Sequence, residues 1–334
     1  MISIKLPHDK VNFVWSTDWH LSANPPGRRT DDYKVAILTK LEFIRSLAEK
    51  INGVALCGGD VFHIKNPDSK SNNNLLLVDT INTLSRFPNG CVYGSIGNHD
   101  LQYDRMDSLE KQPLGILIAA GVYHNLNVEP VLFSNDSESL KVLVETFSYA
   151  EGDVTLQRLL DAGKRPSGVK YRVGVVHAYG EDGNGGFLYN SPKIGYNQVK
   201  DIDFDYLLWG HDHSRKETVT VGNVTHINLG SLARAAFPTD EEERPVTVAI
   251  LSFAEDGIRY KEKVVPVTPL EIAFTVEDKP VEKVDKSEKV LEFLAEIDQQ
   301  VEGITTNDAR EVLAQLCPAE EPELLQLVME LCEL

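Results

Sequence analysis

The sequence predicts an α/β sandwich, a two-layer β core flanked by helices with a small helical C-terminal tail. Three observations carry this. Short apolar runs alternate with stretches of helical periodicity through the first half of the chain. From about residue 141 the runs become mostly strand-like. Beyond a charged segment near residue 280, an apolar stripe of helical spacing follows.

In order, "VNFVWS" (11–16) reads as a strand and 33–51 has helical periodicity. "GVALCGG" (53–59) is again a strand, followed by a helical 72–86 and the strand "CVYGSIG" (91–97), which together suggest βαβ units. Later strands are "KVLVETFSY", "YRVGVVHA", "DYLLWGHDH", "VTHINLG", "PVTVAILSF" and "GIRYKEKVVPV". "GEDGNGGF" (180–187) reads as a glycine-rich loop after a histidine, and no internal repeat is visible. Residues 276–289 are charged and contain a proline, the composition of a linker. Val290, Leu294, Ile297, Val301 and Ile304 then alternate steps of four and three, an apolar helical stripe. Two shorter helices follow around 308–317 and 322–332, the latter opening at Pro322. This tail either packs on its own domain or docks a partner helix.

A chain of 334 residues can bury a full core, and no run approaches the roughly 18–20 apolar residues of a membrane span. The N-terminus lacks an apolar segment ahead of a small-residue cleavage site, so secretion is not expected. Cys57, Cys91, Cys317 and Cys332 show no CxxC pairing, which fits a reducing cytoplasm and argues against a disulfide scaffold or a thiolate zinc site. The net charge of −18 first speaks against a nucleic-acid partner. However, residues 271–334 hold 17 acidic and five basic residues, net −12, leaving −6 for the first 270. Bound cations would add positive charge where a phosphate sits, so charge neither supports nor excludes DNA.

Six of the nine histidines fall in strand-exit motifs: "TDWH" (Asp18, His20), "GGDVFH" (Asp60, His63), "GNHD" (Asn98, His99, Asp100), "VVHA" (His177) and "GHDH" (His211, His213). Residues i and i+2 of extended chain face one side, so Asp18 with His20, and His211 with His213, can each present two side chains to one centre. Carboxylate, imidazole and amide oxygen make a ligand set suited to manganese, iron or zinc. Singly each motif is weak, since D-x-H recurs by chance and a lone strand-end histidine is usually structural. The ordered set, each member preceded by an apolar strand, is not.

This ordered set resembles the calcineurin-like metallophosphoesterase superfamily over roughly residues 10–265. The resemblance implies one metal held by Asp18, His20, Asp60 and His213, and another held by Asp60, Asn98, His177 and His211, with Asp60 shared. Two cations about 3.5–4 Å apart need such a shared anion. It further implies His99 as general acid or phosphate-contacting group, with Asp100 orienting its imidazole. His63 is then not needed as a ligand and is free to contact the scissile phosphate or steer the nucleotide. Gly58 and Gly59 would let the chain turn closely around the metals.

Within the superfamily, the Asp-Arg-Gly run and the arginine pair typical of the serine/threonine phosphatases do not appear. "GDVFH" followed by "IKNPD" looks like the SbcD-type double-strand-break repair nucleases. So does "INLGSLARAAFPTDEEERPVTVAILSF" (227–253), with Gly230, Ser231, Arg234 and Glu241 to Glu243 as the matching residues. The implied function is a DNA nuclease with two divalent ions, Mn2+ by resemblance, acting as a 3′-to-5′ exonuclease with some endonuclease activity in DNA repair or recombination. Alternatives are a small-molecule or cyclic-nucleotide phosphodiesterase, and a non-catalytic scaffold. The expected organisation is a nuclease domain (1–267), a short cap remnant or linker (268–286), and a helical tail (287–334) placed where an SbcC-type coiled-coil ATPase would dock. The resemblance also suggests a homodimer.

Overall fold

The computed structural model describes residues 1–27, 29–149, 154–188, 191–235 and 245–274. The expected linker beyond residue 275, the tail helices, Cys317, Cys332 and the acidic Glu241 to Glu243 lie outside them. In chain order the strands of the first half are β1 (Ile2–Lys5), β2 (Val11–Ser16), β3 (Val54–Cys57), β4 (Val92–Gly94), β5 (Tyr123–Asn125), β6 (Val131–Ser134) and β7 (Lys141–Phe147). Those of the second half are β8 (Tyr171–His177), β9 (Gly180–Glu181), β10 (Gly186–Leu188), β11 (Ser191–Gly195), β12 (Tyr206–Gly210), β13 (Val219–Val221), β14 (Val224–Asn228), β15 (Thr247–Ala254) and β16 (Gly257–Val264). The α-helices are α1 (Tyr33–Lys50), α2 (Asn74–Leu84), α3 (Pro113–Ala119), α4 (Val154–Leu160) and α5 (Leu270–Ala273).

Two large sheets flanked by helices form the architecture that the sequence predicts. One is six-stranded in the order β16-β15-β2-β3-β4-β5, and the other is seven-stranded in the order β1-β6-β7-β8-β12-β14-β13. The "GEDGNGGF" segment is less of a loop than expected. Its ends enter a small third sheet, β10-β11-β9, around a turn that uses Gly183 and Gly185 at φ +101° and +81°.

The period-2 alternation of β2 and β3 decides the layering. Phe13, Trp15, Val54 and Leu56 enter the core between the sheets with Phe133, Val144, Val175, Leu208 and Leu251. Val14, Ala55 and Cys57 face the other way, into the layer of α1, α2 and α3. On α1 the buried Ile37, Leu41, Ile44 and Ala48 follow steps of four, three and four, and Asp32 caps the helix by accepting from Val35 N at 3.1 Å. The outer face of the seven-stranded sheet is covered by Leu159 of α4 together with Phe204 and Val199. No helix among the described residues is long and apolar enough to cross a membrane.

Strands β2, β3, β4 and β5 run parallel, as do β7, β8, β12 and β14. The site depends on this, because each parallel set gathers its strand exits along one edge, where open α/β sheets bind ligands.

Candidate metal centre

Each strand exit delivers part of one cluster. β2 leads to Asp18 and His20, β3 to Asp60 and His63, and β4 to Asn98 and His99. β8 ends on His177, and β12 leads to His211 and His213. Four of these residues hold a left-handed backbone although none is glycine: Asp18 (φ 53°), His20 (47°), Asp60 (49°) and His211 (86°). The loops hold one another in these shapes. Asp18 N donates to Gly59 O at 3.2 Å, His20 N to Asp60 O at 3.0 Å and Leu21 N to Val61 O at 2.8 Å. From a third loop, Ser231 Oγ and Ala233 N both donate to Asp18 O, at 3.0 and 3.2 Å. That loop is in turn held by the buried Lys40 ammonium, which donates to the Leu232 and Ala233 carbonyls. A methyl on Gly97 would lie 2.0 Å from Asp60 Oδ1, so only glycine allows this approach.

Of three donor groups among the described residues that could each hold an ion, His20, His63 and His99 make one and the other two share Asp60. Asp18, His20, Asp60 and His213 form the first of these two, and Asp60, His177 and His211 the second. Asp60 belongs to both, with a different oxygen turned to each: Oδ2 lies 3.8 Å from His20 Nε2, and Oδ1 lies 3.4 Å from His177 Nε2. Across the first group, the Nε2 atoms of His20 and His213 are 2.9 Å apart, and His213 Nε2 is 3.7 Å from Asp18 Oδ1. Asn98 joins the second group, its Oδ1 3.3 Å from His177 Nε2. His177 Nδ1 donates to the Gly58 carbonyl at 2.7 Å, which directs Nε2 into the cluster.

The electrostatics are those of a cation site. Asp18, His20, Asp60 and His177 are at most 1% exposed, a burial that two carboxylates do not tolerate without positive charge. Burial alone would raise Asp60, but the surrounding imidazoles, His177 first, hold its carboxyl well below the usual range. Burial works against the His177 imidazolium too, yet Asp60 and Asp18 lift its pKa to about 9. The two buried carboxylates thus favour positive charge beside them. His211 goes the other way, pushed down to about 3 by burial and by His177. Buried carboxylates joined by neutral imidazoles and an amide oxygen fit two divalent ions of borderline type.

The remaining expected residues are placed as follows. His20, His63 and His99 stand together, His63 and His99 with parallel rings 5.9 Å apart. His99 Nδ1 donates to the His63 carbonyl at 2.7 Å, and His99 N donates to Asp60 Oδ1 at 2.9 Å. Asp100, expected to orient the His99 imidazole, is turned elsewhere. Its oxygens accept from Val61 N, Phe62 N and Gly97 N at 2.9, 3.3 and 2.9 Å, which ties the β3 and β4 exit loops together. The orienting group for His99 is a backbone carbonyl instead. Burial and the neighbouring Asp60 raise the Asp100 carboxyl to about 7. Gly230 lies just ahead of the loop that braces Asp18. Arg234 ends that loop, and its carbonyl accepts from Arg29 Nη1 at 2.8 Å.

Three neighbours were not expected from the sequence. Thr17 Oγ1 donates to Asp18 Oδ2 at 2.6 Å. Tyr179 and Tyr149 place their rings 4.2 and 5.5 Å from the His211 ring. The available signal was position alone: Tyr149 closes the predicted strand "KVLVETFSY" and Tyr179 directly follows "YRVGVVHA".

No family model and no curated protein matches the chain. Among solved structures it is similar to a conserved protein described as a predicted phosphoesterase from Streptococcus pneumoniae TIGR4, at 14% identity, covering 78% of this chain and 94% of that one with a TM-score of 0.33. It is also similar to a Vps29 double mutant from Entamoeba histolytica (13% identity, 76% and 99% covered, TM-score 0.28) and to Chaetomium thermophilum Vps29 (13%, 77% and 100%, TM-score 0.30).

Proposed function

We propose that the chain is a two-metal phosphodiesterase that acts on DNA, a nuclease working as a 3′-to-5′ exonuclease with some endonuclease activity. The observation that supports this best is Asp60, whose two oxygens face two separate donor groups. One ion would be held by Asp18, His20, Asp60 and His213, the other by Asp60, Asn98, His177 and His211. When bound, a pair of divalent ions supplies Lewis-acid activation of water and of the phosphoryl group.

The protein's own residues do the rest. His99, fixed through Nδ1, keeps Nε2 available to hold a proton beside the leaving oxygen. His63 lies on the same side of the cluster and positions the phosphate. The left-handed backbone at Asp18, His20 and Asp60 aims these side chains before any substrate arrives. The DNA substrate and Mn2+ come from the resemblance of the "GDVFH" and 227–253 stretches to the SbcD-type nucleases.

The test is incubation with Mn2+ and either end-labelled linear duplex or bis-p-nitrophenyl phosphate. Shortening of the duplex, lost in Asp60→Asn, is the expected result. Cleavage of the small diester with intact DNA would transfer the reading to a small-molecule phosphodiesterase, and cleavage of neither to a scaffold. The same reading assigns residues 287–334 to an SbcC-type ATPase, and a pull-down unchanged by their deletion would remove that partner.

A further inference from the structure

We propose that Tyr149 and Tyr179 form an aromatic wall on which the base attached to the reacting phosphate rests, an inference that depends on the phosphoester reading above. Two sets of rings flank the cluster, and they differ in chemistry. His63, His99 and His213 surround His20, with centroids 5.4, 4.8 and 4.8 Å from it. The tyrosines surround His211 instead, and Tyr149 also lies 6.2 Å from His177. A phosphate centred over Asp60 would therefore have His63 and His99 on one side and the flat, largely apolar tyrosine faces on the other.

Both tyrosines are half-buried and stand on fixed backbone. Tyr149 N donates to Ile96 O at 3.0 Å, two residues ahead of Asn98, and Tyr179 O accepts from Ile194 N at 2.8 Å. Their rings come from the exits of β7 and β8, adjacent parallel strands of the same sheet. Rigid aromatic faces beside His211, which shares a donor group with Asp60, suit a planar heterocycle better than an alkyl chain or a bare sugar. They also select without reading sequence, because every base has a π-face.

The experiment compares binding of thymidine 5′-monophosphate and deoxyribose 5-phosphate to the full chain in Mn2+, by isothermal titration calorimetry. Wild type should bind the nucleotide about tenfold tighter or more, the ratio that one base stacked on an aromatic ring supplies. The double variant Tyr149→Leu/Tyr179→Leu should bind both alike, at the affinity wild type has for the sugar phosphate. Tyr149→Phe/Tyr179→Phe, which keeps both rings and is expected to fold as wild type does, should retain the ratio. Three results would overturn the wall: equal affinities in wild type, a ratio that survives the Leu variants, or equal loss of both ligands, which would mean that the tyrosines only brace His211. If wild type binds neither ligand, the phosphoester reading itself fails and the wall with it.

Discussion

His226 provides a sharp test of how this fold treats charge. The ring is fully buried in β14, stacked 4.0 Å from Tyr196 and 6.0 Å from Trp209, and its Nδ1 accepts from Trp209 Nε1 at 3.1 Å. Its Nε2 has no hydrogen-bond partner. Burial lowers its pKa from 6.5 to about 4, with Asp182 only partly opposing. Above pH 6.5 the imidazole is neutral in both folded and unfolded chains and contributes no pH dependence. As the pH falls from 6.5 towards 4, the unfolded chain takes up a proton that the folded chain refuses, so stability is lost through that window. The whole gap corresponds to about 3 kcal/mol, of which about 2 kcal/mol is lost between pH 7 and pH 5. Urea unfolding of wild type and His226→Gln at the two pH values, in EDTA, measures it. The glutamine can still accept from Trp209, and the histidines of the metal cluster titrate equally in both proteins. The variant should therefore lose about 2 kcal/mol less than wild type on going to pH 5. Equal losses would refute the idea that this buried ring is held neutral by its surroundings.

Three further outcomes are expected. Mn2+ at about a hundredfold above its dissociation constant should stabilise the fold by about 2.7 kcal/mol, raising Tm by about 4–5 °C, and Asp60→Asn should abolish the shift in scanning calorimetry. Gly97→Ala sets a methyl 2.0 Å from Asp60 Oδ1; it should cost about 1–3 kcal/mol and weaken Mn2+ binding, and an unchanged titration would show that the loop absorbs the methyl freely. Phe13→Ala removes a ring packed edge-on against Phe133 and Phe253, at 5.1 and 5.7 Å between the sheets. It should cost about 3–5 kcal/mol in urea unfolding, with the slope of the transition unchanged.

The parts of this fold that the sequence exposes are those governed by local pattern. "VNFVWS" and the helix from residue 33 are visible because Phe13, Trp15, Ile37 and Leu41 repeat at the periods their elements require. The metal-cluster residues are visible because each lies at the end of such a strand or within a few residues beyond it. Short or half-exposed elements leave less trace: β1 exposes alternate residues, and β5 has only three. Asp100 shows a different limit. Its partners are backbone N–H groups of Val61, Phe62 and Gly97, and a backbone donor leaves no mark in the residue types of the loop that supplies it. The adjacent His99 offered a ready partner, but only the crossing of the β3 and β4 loops reveals that the carboxylate is already fully used. The tyrosine rings are hidden for the same reason, since their proximity to His211 depends on how β7, β8 and β12 are ordered.

Backbone strain shows why so much structure surrounds these few side chains. Each left-handed non-glycine residue costs about 1–2 kcal/mol. Asp18, His20, Asp60 and His211 together therefore cost about 4–8 kcal/mol, an appreciable part of a typical domain's net stability of about 5–15 kcal/mol. Such a conformation persists only where neighbours over-determine it, and here they do. The Asp18 carbonyl accepts from Ser231 and Ala233, its carboxylate from His211 N and Thr17, and its N–H is bound to the opposite loop. Asp60 is fixed through the His99 N–H and by the close approach of Gly97. None of these contacts requires a ligand. The carboxylates are therefore aimed by contacts within the protein itself.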